Sequence, residues 1–240
     1  RYILGVYDLY ERLTSEFPEV LFESCSSGGG RFDPGMLYYA PQGWTSDDSD
    51  AIERLKIQYG TSLCYPISSM GSHVSVIPNH QVFRKTPLHT RANVAYFGTF
   101  GYELDLNSLK EEEIAEVKEQ IIFMKKYRKL FQFGDFYRLK SPFEGNETIW
   151  MVVSEDKKTA IVGYYRTLNG VNQAYSRIKL QGLDPDMLYE NILNKTENYG
   201  DELMNFGLIT TDVTAGEVPG DATPCTDFES RIYTLKAKEK

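Results

Sequence analysis

The stretch Ile149-Trp150-Met151-Val152-Val153, followed by Glu155-Asp156-Lys157-Lys158 and then Thr159-Ala160-Ile161-Val162-Gly163-Tyr164-Tyr165, decides how this chain divides. Both apolar runs have strand length and are rich in β-branched and aromatic residues. The charged quartet between them is a turn, so the pair reads as two antiparallel strands. Tyr175 to Leu180, Leu188 to Leu193 and Ser230 to Leu235 continue a β-rich series with no comparable helix.

Upstream of about Gly134 the pattern differs. Ile3, Val6, Tyr7, Tyr10 and Leu13 share one face of a helix that Pro18 stops, and Val20-Leu21-Phe22 reads as a short buried strand. Asp50-Ala51-Ile52-Glu53 fits a capping box and opens a helix through Tyr59, with Ile52, Leu55 and Tyr59 on its apolar side. Ser108-Leu109-Lys110-Glu111 is a second box. It opens the longest helix, with Ile114, Val117, Ile121 and Met124 inward and an end near Gly134. The expected division is an α/β unit over residues 1–134 and an all-β, antiparallel unit over 135–240. A βα alternation ending in a long helix suits a doubly wound sheet or the last units of a (β/α)8 barrel, and periodicity does not separate the two.

Composition bounds the function classes. The 240 residues carry 26 basic against 34 acidic side chains, a formal net charge of −8. That argues against nucleic acid, whose backbone requires a basic footprint. Cys25, Cys64 and Cys225 are odd in number and scattered, so neither a disulfide framework nor zinc spacing is present; this suits a reducing, cytoplasmic setting. His73, His80 and His89 do not pair at metal-binding spacing, and none is given a catalytic role. No metal or other cofactor is expected. No apolar run is long enough to span a bilayer, so no membrane partner is expected. The chain opens Arg1-Tyr2-Ile3 without Met, which reads as a piece of a longer protein.

Two constellations hold residues suited to chemistry. Glu23-Ser24-Cys25-Ser26-Ser27-Gly28-Gly29-Gly30-Arg31 contains three glycines that permit close approach of backbone to a ligand. It lacks the Gly-Lys-Ser/Thr ending and the G-x-G-x-x-G spacing of phosphate loops, and a flexible βα turn explains it equally. Trp44-Thr45-Ser46-Asp47-Asp48-Ser49-Asp50 gathers three carboxylates in four residues beside a tryptophan. Helix capping explains Asp50 and, taken alone, is the sufficient reading. Acid/base catalysis with an aromatic sugar platform is the functional alternative. A calcium loop fails on the missing Asp/Asn positions and central Gly.

Read together, these segments resemble glycoside hydrolase family 36, the bacterial and fungal α-galactosidases. The carrying stretches are Leu21 to Asp33 and Trp44 to Leu55, then Gly71-Ser72-His73-Val74-Ser75, Pro78-Asn79-His80-Gln81 and Phe100-Gly101-Tyr102-Glu103-Leu104-Asp105-Leu106. Their joint occurrence in this order is specific, and the similarity runs over nearly the whole chain. The resemblance implies the C-terminal portion of a (β/α)8 TIM barrel followed by an antiparallel β-sandwich.

The resemblance also implies roles. The family's C-x-x-G-x-x-R motif matches Cys25, Gly28 and Arg31: Cys and Gly line the pocket beside the galactose 2-hydroxyl, and Arg supports the loop. The acid/base Asp matches Asp47, with Trp44 flanking the sugar and Asp48 supporting. The family's nucleophile lies in a Lys-Trp-Asp motif that this sequence does not contain, so the chain by itself is expected to be unstable and inactive. The implied activity is hydrolysis of terminal α-galactosyl groups from melibiose- or raffinose-type oligosaccharides, in a homo-oligomer, commonly a tetramer. Rival readings are an α-N-acetylgalactosaminidase or galactosyltransferase of the same family, a non-catalytic carbohydrate-binding module, and a nucleotide-binding α/β domain.

Overall fold

The computed structural model describes residues 1–171, 176–210 and 227–238. Cys225, and Tyr175 at the start of one expected strand, lie outside them. The first helix, α1 (Tyr2–Glu16), is amphipathic as its spacing dictates. Ile3, Val6, Tyr7, Tyr10 and Leu13 form its half-buried side. Tyr7 donates to Asp33 at 2.7 Å, and Tyr10 packs edge-on to Phe22 with ring centres 6.0 Å apart.

The first strand does not fall where hydrophobicity placed it. Val20 and Leu21 are exposed, Leu21 at 89%, and the pairing begins at β1 (Glu23–Ser24). β1 pairs in parallel with β2 (Gln42–Gly43), and the short helix α2 (Pro34–Tyr39) lies between them in sequence. A parallel bridge joins Gly43 to Met70, just before β3 (Gly71–Ser75), which pairs in parallel with β4 (Thr99–Glu103). Helices α3 (Ala51–Ser62) and α4 (Leu88–Ala95) separate these strands in sequence. Parallel strands taken in chain order with intervening helices form the end of a (β/α)8 barrel.

The long helix α5 (Glu111–Phe133) starts two residues later than the Ser108 box implies. Ser108 instead donates to the Asp105 carbonyl within a short 3-10 turn (Leu106–Ser108). The N-cap is Lys110, whose backbone N–H donates to the Glu113 carboxylate at 3.0 Å. An acidic first turn, Glu111 to Glu113, suits the positive end of the helix dipole and fixes the start there. The helix ends at Phe133 with Gly134 as its C-cap, as expected.

Beyond Gly134 come β5 (Asp135–Lys140), β6 (Glu147–Val153), β7 (Thr159–Arg166), β8 (Arg177–Ile178), β9 (Leu188–Asn191), β10 (Glu197–Tyr199), a short α6 (Gly200–Asn205), β11 (Leu208–Ile209) and β12 (Glu229–Ala237). Six of these form one antiparallel sheet in the order β10-β9-β12-β7-β6-β5, and β8 pairs with β11 apart from it. Both faces of the large sheet are covered. Trp150, Val152, Ile161 and Tyr165 join a core with Leu55, Phe97, Tyr127 and Phe131 from the helical side. Ile149, Met151, Val153, Val162 and Tyr164 join a second core with Ile178, Leu180 and Leu208. Two-sided burial is why β6 and β7 read as unbroken apolar runs rather than as an alternation. Tyr165 ties the units together: its hydroxyl accepts from the Trp150 indole N–H at 3.0 Å and donates to the Asn93 carbonyl on α4 at 2.6 Å. Among the described residues no helix is long and apolar enough to cross a membrane.

Candidate active site

The four parallel strands run the same way, so their C-terminal ends open onto one rim. That rim carries Cys25 after β1, Trp44 to Asp48 after β2, the turn after Ser75 on β3, and Glu103 at the end of β4. Barrel enzymes place their reacting groups on this side.

The two constellations meet there. Gly28 adopts a left-handed φ of +74°, and a side chain on it would lie 2.7 Å from the Ser46 Cα and 2.9 Å from the Asp47 backbone N. Only glycine fits both the conformation and the gap. The Trp44 N–H donates to the Ser24 carbonyl at 2.9 Å, which continues the β1–β2 pairing into the acidic loop. Arg31 reaches back across its own turn, and its guanidinium donates to the Cys25 carbonyl at 2.5 Å and to the Tyr2 hydroxyl at 2.9 Å. Arg31 thus braces the Cys25–Gly28 turn from below. Cys25 itself is exposed on the rim.

The three neighbouring carboxylates have different fates. Asp50 is buried and is a true N-cap: its Oδ2 accepts from the backbone N–H groups of Ile52 and Glu53, both at 3.1 Å, and pairs with Arg84. The reciprocal half of the expected capping box is absent, because the Asp50 N–H donates to Asp48 Oδ1 at 3.0 Å and Glu53 turns to Arg84 and Lys56. Asp48 is therefore half-buried and held by backbone; its own N–H donates to Ser46 Oγ at 3.1 Å. Asp47 is exposed, with no hydrogen bond or ion pair to the described residues. The loop under it is fixed: Ser75 donates to the Ser49 carbonyl at 2.9 Å, and buried Asn79 donates to Ser49 Oγ at 3.2 Å. The arrangement anchors two acids and leaves the third, Asp47, without a partner among the described residues.

Trp44 is half-buried within a stack of side chains. His73 on β3 stacks on it with ring centres 4.7 Å apart and planes 21° apart, and the Arg54 guanidinium carbon lies 4.8 Å from the indole centre. Gly71 and Gly101 make room for this layer, since a Cβ on either would lie 2.9 Å from the Trp44 or the His73 ring. His73 Nδ1 also lies 3.5 Å from Glu103. His73, Glu103 and Arg54 were not singled out for the site by sequence reading. Arg54 did leave a signal: a cation on the helix face that also buries Ala51, Leu55 and Gln58. Among the described residues, no group of three or more His, Cys, Asp or Glu side chains is gathered as for a metal ion.

Cys25→Leu in the full-length protein is expected to crowd the rim beside Gly28 and lower kcat/KM, with little change in Tm because the side chain is exposed. Steady-state kinetics beside a thermal melt checks this. Unchanged kinetics would give Cys25 no part in the pocket.

Residues 1–134 match the family model Melibiase, and residues 147–235 match the glycosyl hydrolase family 36 C-terminal domain. The chain is 53% identical over 242 residues to α-galactosidase AgaA of Geobacillus stearothermophilus and 46% identical over 237 residues to α-galactosidase 1 of Pediococcus pentosaceus. These alignments cover 100% and 99% of this chain and 31% of each relative, so it spans about a third of their length. The crystal structure of an α-galactosidase from Lactobacillus brevis superposes with a TM-score of 0.92 at 51% identity, covering 100% of this chain and 32% of that one. A variant of AgaA in complex with raffinose superposes at 0.90 and 52% identity, covering 99% and 31%. The fold and the sequence that builds it recur together in these relatives: the chain belongs to the Melibiase family and carries the C-terminal domain of glycosyl hydrolase family 36.

Proposed function

We propose that this chain supplies the proton-transferring part of a retaining α-galactosidase site, which removes terminal α-D-galactosyl groups from oligosaccharides of the melibiose and raffinose type. The observation that carries the reading is the unpartnered, exposed Asp47 at the end of β2, beside the Gly28 turn, while Asp48 and Asp50 are committed to backbone. In the first step Asp47, as the acid, gives its proton to the glycosidic oxygen as the C1–O bond breaks. A carboxylate from outside this sequence forms the new bond to C1. In the second step ionised Asp47 takes a proton from water as the water oxygen displaces that carboxylate. Two inversions return the sugar with its α configuration, and Asp47 ends protonated. The two carboxyl groups of such a site stand about 5–5.5 Å apart, too close for an intervening water.

The raffinose complex of the AgaA variant supports the substrate class. The close fit of the Gly28 turn to the Asp47 loop supports a wall that accepts a 2-hydroxyl rather than a 2-acetamido group. Exposed, unpaired Cys25 and Cys64 support a reducing, cytoplasmic setting.

The test follows the anomer first formed from an aryl α-galactoside by the full-length protein, using proton NMR before mutarotation. Expected are α-galactose first and a large preference over the matching 2-acetamido glycoside. First-formed β-galactose, or equal use of both sugars, would overturn the reading.

A further inference from the structure

Arg54 is 2% exposed and sits one helical turn into α3, directly behind the acidic loop. Its Nη2 donates to the Gly71 carbonyl on β3 at 2.5 Å, its Nη1 to the Ser46 carbonyl at 3.4 Å, and its Nε to Gln58 Oε1 at 3.4 Å. Gln58 is itself pinned: its side-chain N–H groups donate to the carbonyls of Val94 and Phe97, and Ser72 donates to its Oε1. No carboxylate pairs directly with Arg54 among the described residues. Asp48 and Glu103 are the anions near enough to stabilise its charge, and burial still pulls the guanidinium down to about 10. An isolated cation in a protein interior is costly, and a well-packed apolar side chain would serve a purely structural role at least as well. The position therefore asks for a reason beyond filling space.

The geometry supplies one. The guanidinium links the first residue of β3 to the residue immediately before Asp47, and its central carbon lies 4.8 Å from the indole centre of Trp44 at the start of the same loop. The Gly28 turn also packs closely on Ser46 and Asp47. The peptide that carries the acid is thus touched by both a buried cation and a side-chain-free turn.

We infer that Arg54 is a positioning residue for proton transfer, setting the orientation of Asp47 through the Ser46 carbonyl and Trp44 without touching substrate. The inference rests on Asp47 being the acid/base. A positioning role has a signature that a structural one lacks, because misplacing the acid harms substrates according to how much they need its proton.

The experiment measures kcat/KM of the full-length protein and of Arg54→Met, Arg54→Lys and Asp47→Ala over aryl α-galactosides whose phenols range from strongly to weakly acidic. Arg54→Met is expected to lose on the order of 10²-fold with poor leaving groups and less than about tenfold with good ones. Arg54→Lys keeps a buried cation but not the planar fork that reaches two carbonyls, and its dependence should fall between wild type and Met. Should the Met variant fail to fold, the Lys variant decides: a steepened leaving-group dependence supports the inference, and a uniform loss overturns it. A uniform loss in both Arg54 variants beside a steep Asp47→Ala profile overturns the role of Arg54 alone. A flat profile in Asp47→Ala itself overturns the assignment of Asp47, and the inference falls with it.

Discussion

Asp47→Ala in the full-length protein is expected to cut turnover of substrates with poor leaving groups by about 10²–10⁴-fold, the usual worth of general acid catalysis. The cut should shrink as the phenol of an aryl α-galactoside becomes more acidic, because such a leaving group departs as an anion without needing the proton. Deglycosylation still lacks its base, so with reactive substrates a covalent galactosyl-enzyme should accumulate and give a burst. Azide needs no general base and should restore turnover, yielding α-galactosyl azide. Asp48→Ala removes the acceptor of the Asp50 N–H but leaves Asp47 in place, so neither a burst nor azide rescue is expected of it. Pre-steady-state kinetics and product NMR check each part. Equal losses for good and poor leaving groups without azide rescue would remove Asp47 from the role and make Asp48 the next candidate.

Gly28→Ala is expected to bring the second largest loss, and by a different route. A left-handed conformation costs a non-glycine residue roughly 1–2 kcal/mol. The added Cβ also meets backbone, 2.7 Å from the Ser46 Cα and 2.9 Å from the Asp47 N, so no side-chain rotation relieves it. Either the Cys25–Gly28 turn or the acid-bearing peptide must shift. Displacements of about 1 Å in a catalytic constellation cost about 10²-fold in rate, and kcat/KM should fall by that order while the Tm falls by a few degrees. Gly29→Ala is the near control: its Cβ would lie 2.9 Å from the Thr45 carbonyl oxygen, two residues before Asp47, and its φ is not left-handed. A smaller kinetic loss is expected there. An active Gly28→Ala protein with a lowered Tm would make the contact a matter of folding alone.

The same contrast separates what was legible in the chain from what was not. Local physics wrote the helices into the sequence: the half-buried stripe of α1, the Asp50 cap of α3 and the end of α5 at Gly134 all stand where periodicity and capping put them. The long hydrophobic strands were equally legible, because β6 and β7 are buried on both faces and so are apolar throughout. The short barrel strands were not. β1 has two residues, one of them the exposed Glu23, while the apolar Val20 and Leu21 before it are exposed. Parallel pairing, rather than side-chain pattern, defines such a strand, and pairing is a long-range property. The start of α5 slipped for a related reason, since Ser108 is taken up by a 3-10 turn and the acidic run Glu111 to Glu113 suits the positive end of the helix.

At the site, the resemblance to glycoside hydrolase family 36 nominated Cys25, Gly28, Arg31, Trp44, Asp47 and Asp48, where residue types alone left a βα turn and a helix cap as sufficient readings. What they did not contain was the hydrogen bonding of the three neighbouring aspartates, which depends on which backbone N–H each one meets. Nor did they reveal that the Trp44 indole is stacked on His73 and faced by Arg54, with the facing glycines Gly71 and Gly101 opening the space. The sequence by itself determined the main helices, the long buried strands, the change of architecture near Gly134 and the chemical groups present, because propensity, capping and hydrophobic period act over a few neighbouring residues. The tertiary structure alone decided which carboxylate is free, which arginine is buried behind it and which turn closes on it, because each is a contact between segments that only the parallel strands bring together.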